Sequence, residues 1–174
     1  MKLNSLLLLT ALLTTSSAIA ISTQPSISIS RLVKASSYQP FPTNICETLR
    51  DDAAKALNTT FSLKKTSFAD PISGDKGMGC TMIATGTGAK FASPTDVVDK
   101  LKSTFIGWNE DSRYQADGPT GKGIGLTRDS GLLLVNVEWE PAPSAKCPAD
   151  RPISDCNLKP QEQLYTITVQ GAMK

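Results

Sequence analysis

Glu138 and Glu140 stand two residues apart in an apolar/polar alternation, so both carboxylates are expected on one side of a strand, roughly 7 Å apart. That is close to the separation used for inverting glycoside hydrolysis, where one carboxyl protonates the leaving oxygen and the other activates water. Against this reading, two glutamates on a polar strand face are ordinarily solvated, and a chain of this size seldom builds a deep sugar cleft. Other nucleophile chemistry is narrower still. The sequence contains no histidine, which removes Ser-His-Asp and Cys-His pairs, imidazole metal ligands and the usual near-neutral proton shuttle together. The glycine-rich run Gly118-Pro119-Thr120-Gly121-Lys122-Gly123 lacks the Ser or Thr after its lysine and has no helix behind it, so it reads as turn glycines and not as a phosphate cradle.

The large amphipathic rings are Trp108, Tyr114 and Trp139. Trp139 shares the parity of Leu133, Val135 and Val137 and is expected in the core. Trp108, just beyond a helix stop, is expected half exposed, and with Tyr114 beside Arg113 it is a candidate ligand platform. The binding residues read from the sequence are therefore Trp108, Arg113, Tyr114 and Glu138, with no catalytic set, no metal and no cofactor. Asn58-Thr59-Thr60 has the form of an N-glycosylation acceptor, which matters if the producing cell is eukaryotic.

Positioning these residues falls to a short chain, 174 residues with 40% hydrophobic and 20% charged, enough for one globular core. Lys2, the apolar run Leu6 to Leu13 and Ala18-Ile19-Ala20 describe a cleaved signal peptide over residues 1–20, with Thr14 to Ser17 interrupting any membrane-length run. Its removal takes Lys2 and leaves 17 basic against 16 acidic side chains, a net charge of +1. Near-neutrality with scattered lysines gives no reason to expect nucleic acid or an anionic membrane as partner. In the oxidising compartment that export implies, secreted or periplasmic, the four cysteines are expected as two disulfides, Cys46 with Cys80 and Cys147 with Cys156.

Residues 21–40 are Ser-rich and read as a flexible lead-in, with a short edge strand over Ile27, Ile29 and Leu32 as an alternative. From Pro42 the signals change. Asn44 with Glu47 suggests a capping box, and Cys46, Leu49, Ala53 and Leu57 form one buried helical stripe that ends near Asn58. Thr59 to Phe68 and Gly77 to Thr85 read as an antiparallel hairpin, and Thr85 to Ala92 as the loop feeding a second helix from Ser93 to Gly107 with Val97, Val98, Leu101 and Phe105 inward. Strands follow at Ser112 to Ala116, Lys122 to Arg128, Gly131 to Glu140 and Gln163 to Gln170, the last two as neighbours. Pro141 to Pro160, rich in proline, is an irregular loop closed by its own disulfide.

The expected fold is α+β: two helices packed on one face of a mostly antiparallel sheet of five or six strands, in the order α-β-β-α-β-β-β-β, its other face largely wet. The expected role is a non-enzymatic binding domain acting as a monomer on another protein or on an envelope or wall component. A protease-inhibitor-like use of the stapled loop and a small hydrolase built on Glu138 and Glu140 are the alternatives.

Overall fold

The computed structural model describes residues 37–148 and 150–174. The expected signal peptide, the expected lead-in as far as residue 36 and the alternative edge strand lie outside the described residues. The elements follow in the expected order: α1 (Thr43–Leu57), β1 (Ser62–Ala69), β2 (Lys76–Thr87), α2 (Pro94–Thr104), β3 (Asn109–Gly118), β4 (Gly121–Arg128), β5 (Gly131–Pro141) and β6 (Gln163–Met173). The strands form one six-stranded antiparallel sheet ordered β1-β2-β6-β5-β4-β3. Each strand from β2 to β6 runs one to three residues further than its sequence pattern at one or both ends.

Helix α1 buries Cys46, Leu49, Ala53 and Leu57, the stripe its 3.6-residue period requires. Its start differs from the capping box: Pro42 occupies the N-cap position and no side chain caps the helix. Proline pre-sets the entry φ, while Asn44 lies already inside the helix, where its carbonyl accepts from Thr48 Oγ1 at 2.8 Å. The helix ends at Asn58, whose φ of 47° is left-handed, a geometry asparagine tolerates. In α2 the Ser93 hydroxyl accepts from the Asp96 amide at 3.0 Å, Pro94 opens the helix, and Gly107 takes a φ of +82° just after it.

Both helices cover one face of the sheet. Rows of side chains run under them from strand to strand, as in Met82, Val169, Val135 and Ile124, all in direct register and all buried. The Cys46–Cys80 disulfide fastens α1 to β2 inside this core, and Cys147–Cys156 closes the loop between β5 and β6. That loop is irregular apart from single 3-10 turns at Ile153–Asp155 and Pro160–Glu162.

The opposite face departs from a wholly wet surface. At the end of the sheet where β2 and β6 part, Tyr38 and Gln39 enter between them, Tyr38 bridging Gly77 in parallel and Gln39 bridging Met173 antiparallel. Four backbone hydrogen bonds of 2.8–3.2 Å hold the two residues there. Gly77 is required by this approach, because a β-carbon on it would lie 2.0 Å from the Tyr38 carbonyl oxygen. The chain thus changes sides: Phe41 packs in the core beneath the helices, whereas Tyr38 joins Phe68, Leu132 and Ala172 in a second, smaller buried cluster. Tyr38 and Gln39, which fall in the stretch read from composition as a flexible lead-in, are bridged to the sheet.

Candidate functional site

The second cluster is built around a buried carboxylate. Asp70 closes β1, and its side chain turns back over the following turn, Oδ1 accepting from the amides of Ile72 at 2.9 Å and Ser73 at 3.3 Å. Oδ2 accepts from the Ser73 hydroxyl at 2.7 Å and from the phenol of Tyr38 at 2.9 Å, while the phenol of Tyr114 donates to Oδ1 at 3.0 Å. Asp70 is only 4% exposed.

Tyr114 reaches Asp70 because β3 is irregular. Asp111 pairs with Gly125 and Ala116 with Gly123, so residues 112–115 bulge out of the ladder. The bulge lays the Tyr114 ring across Gly125, where any β-carbon would lie 2.5 Å from the ring. Arg113, paired with Asp111, stands over the same ring at 5.9 Å from its centroid. On the other flank Lys174 pairs with Asp75 and stands 5.0 Å above the Tyr38 ring. Between these walls is a cleft of about 280 Å³ bordered by Tyr38, Asp70, Ser73, Arg113, Tyr114 and Lys174.

The electrostatics follow from the geometry. Burial pushes the Asp70 carboxyl up, but the hydrogen bonds from the Ser73 hydroxyl, the Ile72 amide, Tyr38 and the Ser73 amide outweigh it and hold the group well below the usual carboxylate range. Burial, then the bond to Asp70, pushes the Tyr114 phenol up to about 12, and the same two causes raise Tyr38 further. An ionised carboxylate offers about four lone-pair positions, and five donors from the chain itself already converge on this one. The carboxylate has no position left to take a substrate proton, and both phenol hydroxyls are engaged as hydrogen-bond donors to it. The cluster therefore acts as a latch joining the 38–39 segment, the β1–β2 turn and β3.

The residues singled out in the sequence are distributed around this frame. Tyr114 and Arg113 line the latch cleft, but Trp108 packs on the helix side, edge-on to Phe41 at 5.8 Å with Arg128 stacked 4.7 Å from its ring centroid. Trp108 and Tyr114 thus belong to different faces and form no common platform. Trp139 packs against the main core as its parity requires. Glu138 and Glu140 lie exposed on the open face, and with Thr120, Trp139, Leu164 and Thr166 they border a cleft of about 290 Å³. Glu138 pairs with Gly121 and Leu134 with Gly125, placing Glu138 four residues along the sheet from Tyr114, about 13 Å at strand rise.

Sequence reasoning missed Tyr38, Asp70 and Ser73. Asp70-Pro71 signals a turn, but nothing local announces that two tyrosines 32 residues before and 44 residues after would meet there.

The remaining open face lies over the middle strands. The exposed Asn136 and Glu138 of β5 flank the half-buried Thr166 and Thr168 of β6, and the exposed Thr85 continues the row on β2. On the other side β4 presents Gly121 and Gly123, a floor of bare backbone. Among the described residues no group of three or more acidic or cysteine side chains is placed to hold a metal ion, and no helix is long and apolar enough to cross a membrane. Comparison with protein-family models, with curated proteins and with solved structures finds no match to this chain, so its reading rests on the geometry above.

Proposed function

We propose that the chain is an exported, non-enzymatic binding domain whose open sheet face meets another protein or a component of the cell envelope or wall. The observation that carries this reading is the contrast between the two faces. One is covered by helices, whereas the middle of the other carries Asn136, Glu138, Thr166 and Thr168 beside a glycine floor, with hydrogen-bonding groups fixed on rigid strands and water as their neighbour. The strongest candidate for acid-base chemistry, Asp70, is meanwhile spent on architecture, and the hydrolase reading is left with two solvated glutamates.

Sedimentation with the insoluble envelope and wall fraction of the producing cell tests the proposal. The wild type should be retained, and the double variant Asn136→Arg with Thr168→Arg should lose at least about tenfold in retention, since each added side chain blocks a central position. A helix-side control, Lys100→Glu, should not change it. Equal retention of the face variant overturns the proposal, as does turnover on a glycan panel that Glu138→Gln abolishes.

One observation favours the inhibitor-like reading as a second. The stapled loop makes backbone hydrogen bonds within itself, Ala145 to Ala142, Arg151 to Pro148 and Cys156 to Ile153, and its disulfide closes it, which favours a preorganised shape. Inhibition of a secreted protease that disappears in Cys147→Ser would support it, and full activity of a broad protease panel at micromolar domain would end it.

A further inference from the structure

We propose that Asn58 is an N-glycosylation site, carrying an oligosaccharide that stands in the cleft between the end of α1 and the β1–β2 edge of the sheet. The inference rests on the export reading and adds to it the kind of export route and a covalent modification. Asn58-Thr59-Thr60 has threonine at the third position and no proline at the second, as acceptor segments require.

The fold keeps this tripeptide out of regular structure. It lies between the end of α1 and the start of β1, with Asn58 and Thr60 exposed and the chain anchored immediately afterwards by Phe61, which is 4% exposed. The helix end accounts for an asparagine's backbone here and leaves its side chain unused. Left-handed φ suits asparagine, but the closing bonds come from main-chain amides, Asn58 to the Lys55 carbonyl at 3.3 Å and Thr59 to the Ala54 carbonyl at 2.9 Å. Beside the exposed amide is an open cleft of about 710 Å³, walled by small and hydroxylic side chains that include Ala54, Thr60, Ser62 and Thr85 with Lys90 at its rim. A first sugar has room there and finds hydroxyls to bond.

The chemistry needs one co-reactant, an oligosaccharide linked to a polyisoprenyl pyrophosphate, and the exporting cell's oligosaccharyltransferase. Asn58 Nδ2 bonds to the anomeric carbon, the bond from that carbon to the pyrophosphate oxygen breaks, the amide gives up one proton and the lipid pyrophosphate leaves. No electron changes hands. Ser62 pairs with Ile83 and both line the cleft beside Asn58, so the glycan stands at the β1 edge of the sheet and leaves β6, β5 and β4 to the partner.

The test is intact-mass and peptide mapping of the protein recovered from outside its producing cells, with and without peptide-N-glycosidase. The expected result is a glycan on the peptide that contains Asn58, released by the enzyme with an aspartate left at that position. Thr60→Ala is the decisive variant, because it removes the acceptor signal without disturbing the left-handed residue. It should abolish the modification, and Thr60→Ser should restore it in part. Exported, disulfide-bonded protein bare at Asn58 overturns the proposal and leaves the export reading standing. A cell-internal product with its N-terminus uncleaved overturns both. A glycan that persists in Thr60→Ala overturns the assignment to Asn58.

Discussion

Replacing Asp70 by asparagine removes the charge on which Tyr38, Tyr114, Ser73 and the Ile72 amide converge, while keeping the side chain's shape. An asparagine can present its oxygen to only one of the two sets of donors. If it serves the Oδ1 set, the hydroxyls of Tyr38 and Ser73 face an amide nitrogen that cannot accept. A hydrogen bond to an ionised acceptor contributes about 1.5–3 kcal/mol net, so losing two is a loss of about 3–6 kcal/mol, part of which returns when a rotated hydroxyl accepts from the new amide. We expect Asp70→Asn to lower the unfolding free energy at pH 7 by about 3–4 kcal/mol, read from urea midpoints at unchanged slope.

The dependence on pH distinguishes lost charge from mere misfit. Because the folded carboxyl is held below its ordinary value of 3.8, its contribution is complete above that value and declines as acid protonates the unfolded chain first. The gap between wild type and variant should close by up to about 1.4 kcal/mol for each pH unit below it. Other acidic groups are common to both proteins and cancel in the difference. A gap under about 1 kcal/mol at pH 7, or one that stays constant into acid, would refute the assignment of Asp70 as an ionised hub.

The tyrosines give the alkaline counterpart. Their raised values mean that stability is intact below pH 10 and falls as the unfolded phenols ionise, so absorbance titration should show neither Tyr38 nor Tyr114 ionising near 10, with Tyr114 appearing close to 12. Normal ionisation of either would contradict the hydrogen bonds to Asp70. Gly77→Ala places a β-carbon on the Tyr38 backbone and should cost about 2–3 kcal/mol, with faster proteolytic cleavage near residue 38, whereas Gly74→Ala, whose β-carbon meets nothing but whose φ of +75° strains an alanine by about 1–2 kcal/mol, should spare the 38–39 insertion. Mild reductant should open the half-exposed Cys147–Cys156 bridge before the buried Cys46–Cys80, as alkylation mapping will show. Loop entropy assigns about 3 kcal/mol to the first and about 4 kcal/mol to the second, so Cys46→Ala with Cys80→Ala should be the costlier pair. Equal rates of reduction would count against the burial difference.

What the sequence made legible is what neighbours in the chain decide. The α1 stripe Cys46, Leu49, Ala53 and Leu57 and the alternation in β5 and β6 repeat a period that burial enforces, and the Ser93-Pro94 start of α2 is a local cap signal; the Cys46–Cys80 pairing followed from those faces, and Cys147–Cys156 from the proline-rich loop the two bracket. The capping box at Asn44 does not form because the helix starts two residues earlier, with Pro42 at the N-cap supplying the entry geometry. The latch was illegible for another reason. Tyr38 sits in a serine-rich stretch with no period, Asp70 resembles any turn aspartate, and the Tyr114 side chain is re-aimed by a bulge that no alternation predicts. Contacts separated by 32 and 44 residues depend on the assembled sheet, and local pattern carries no trace of them.

Strand β6 lies in the middle of the sheet although it is the final element of the fold, and it is the seam between the α1-β1-β2 half and the β3-β4-β5 half. Until residues 163–173 arrive, neither half has its partner edge, and Gln39 has no Met173 to pair with. The two halves can collapse locally but cannot close, so folding waits for its last piece. A chain threading through a narrow pore would remain pliable until nearly all of the domain had passed, and a truncation anywhere in that strand would leave two exposed edges in place of a slightly shortened domain.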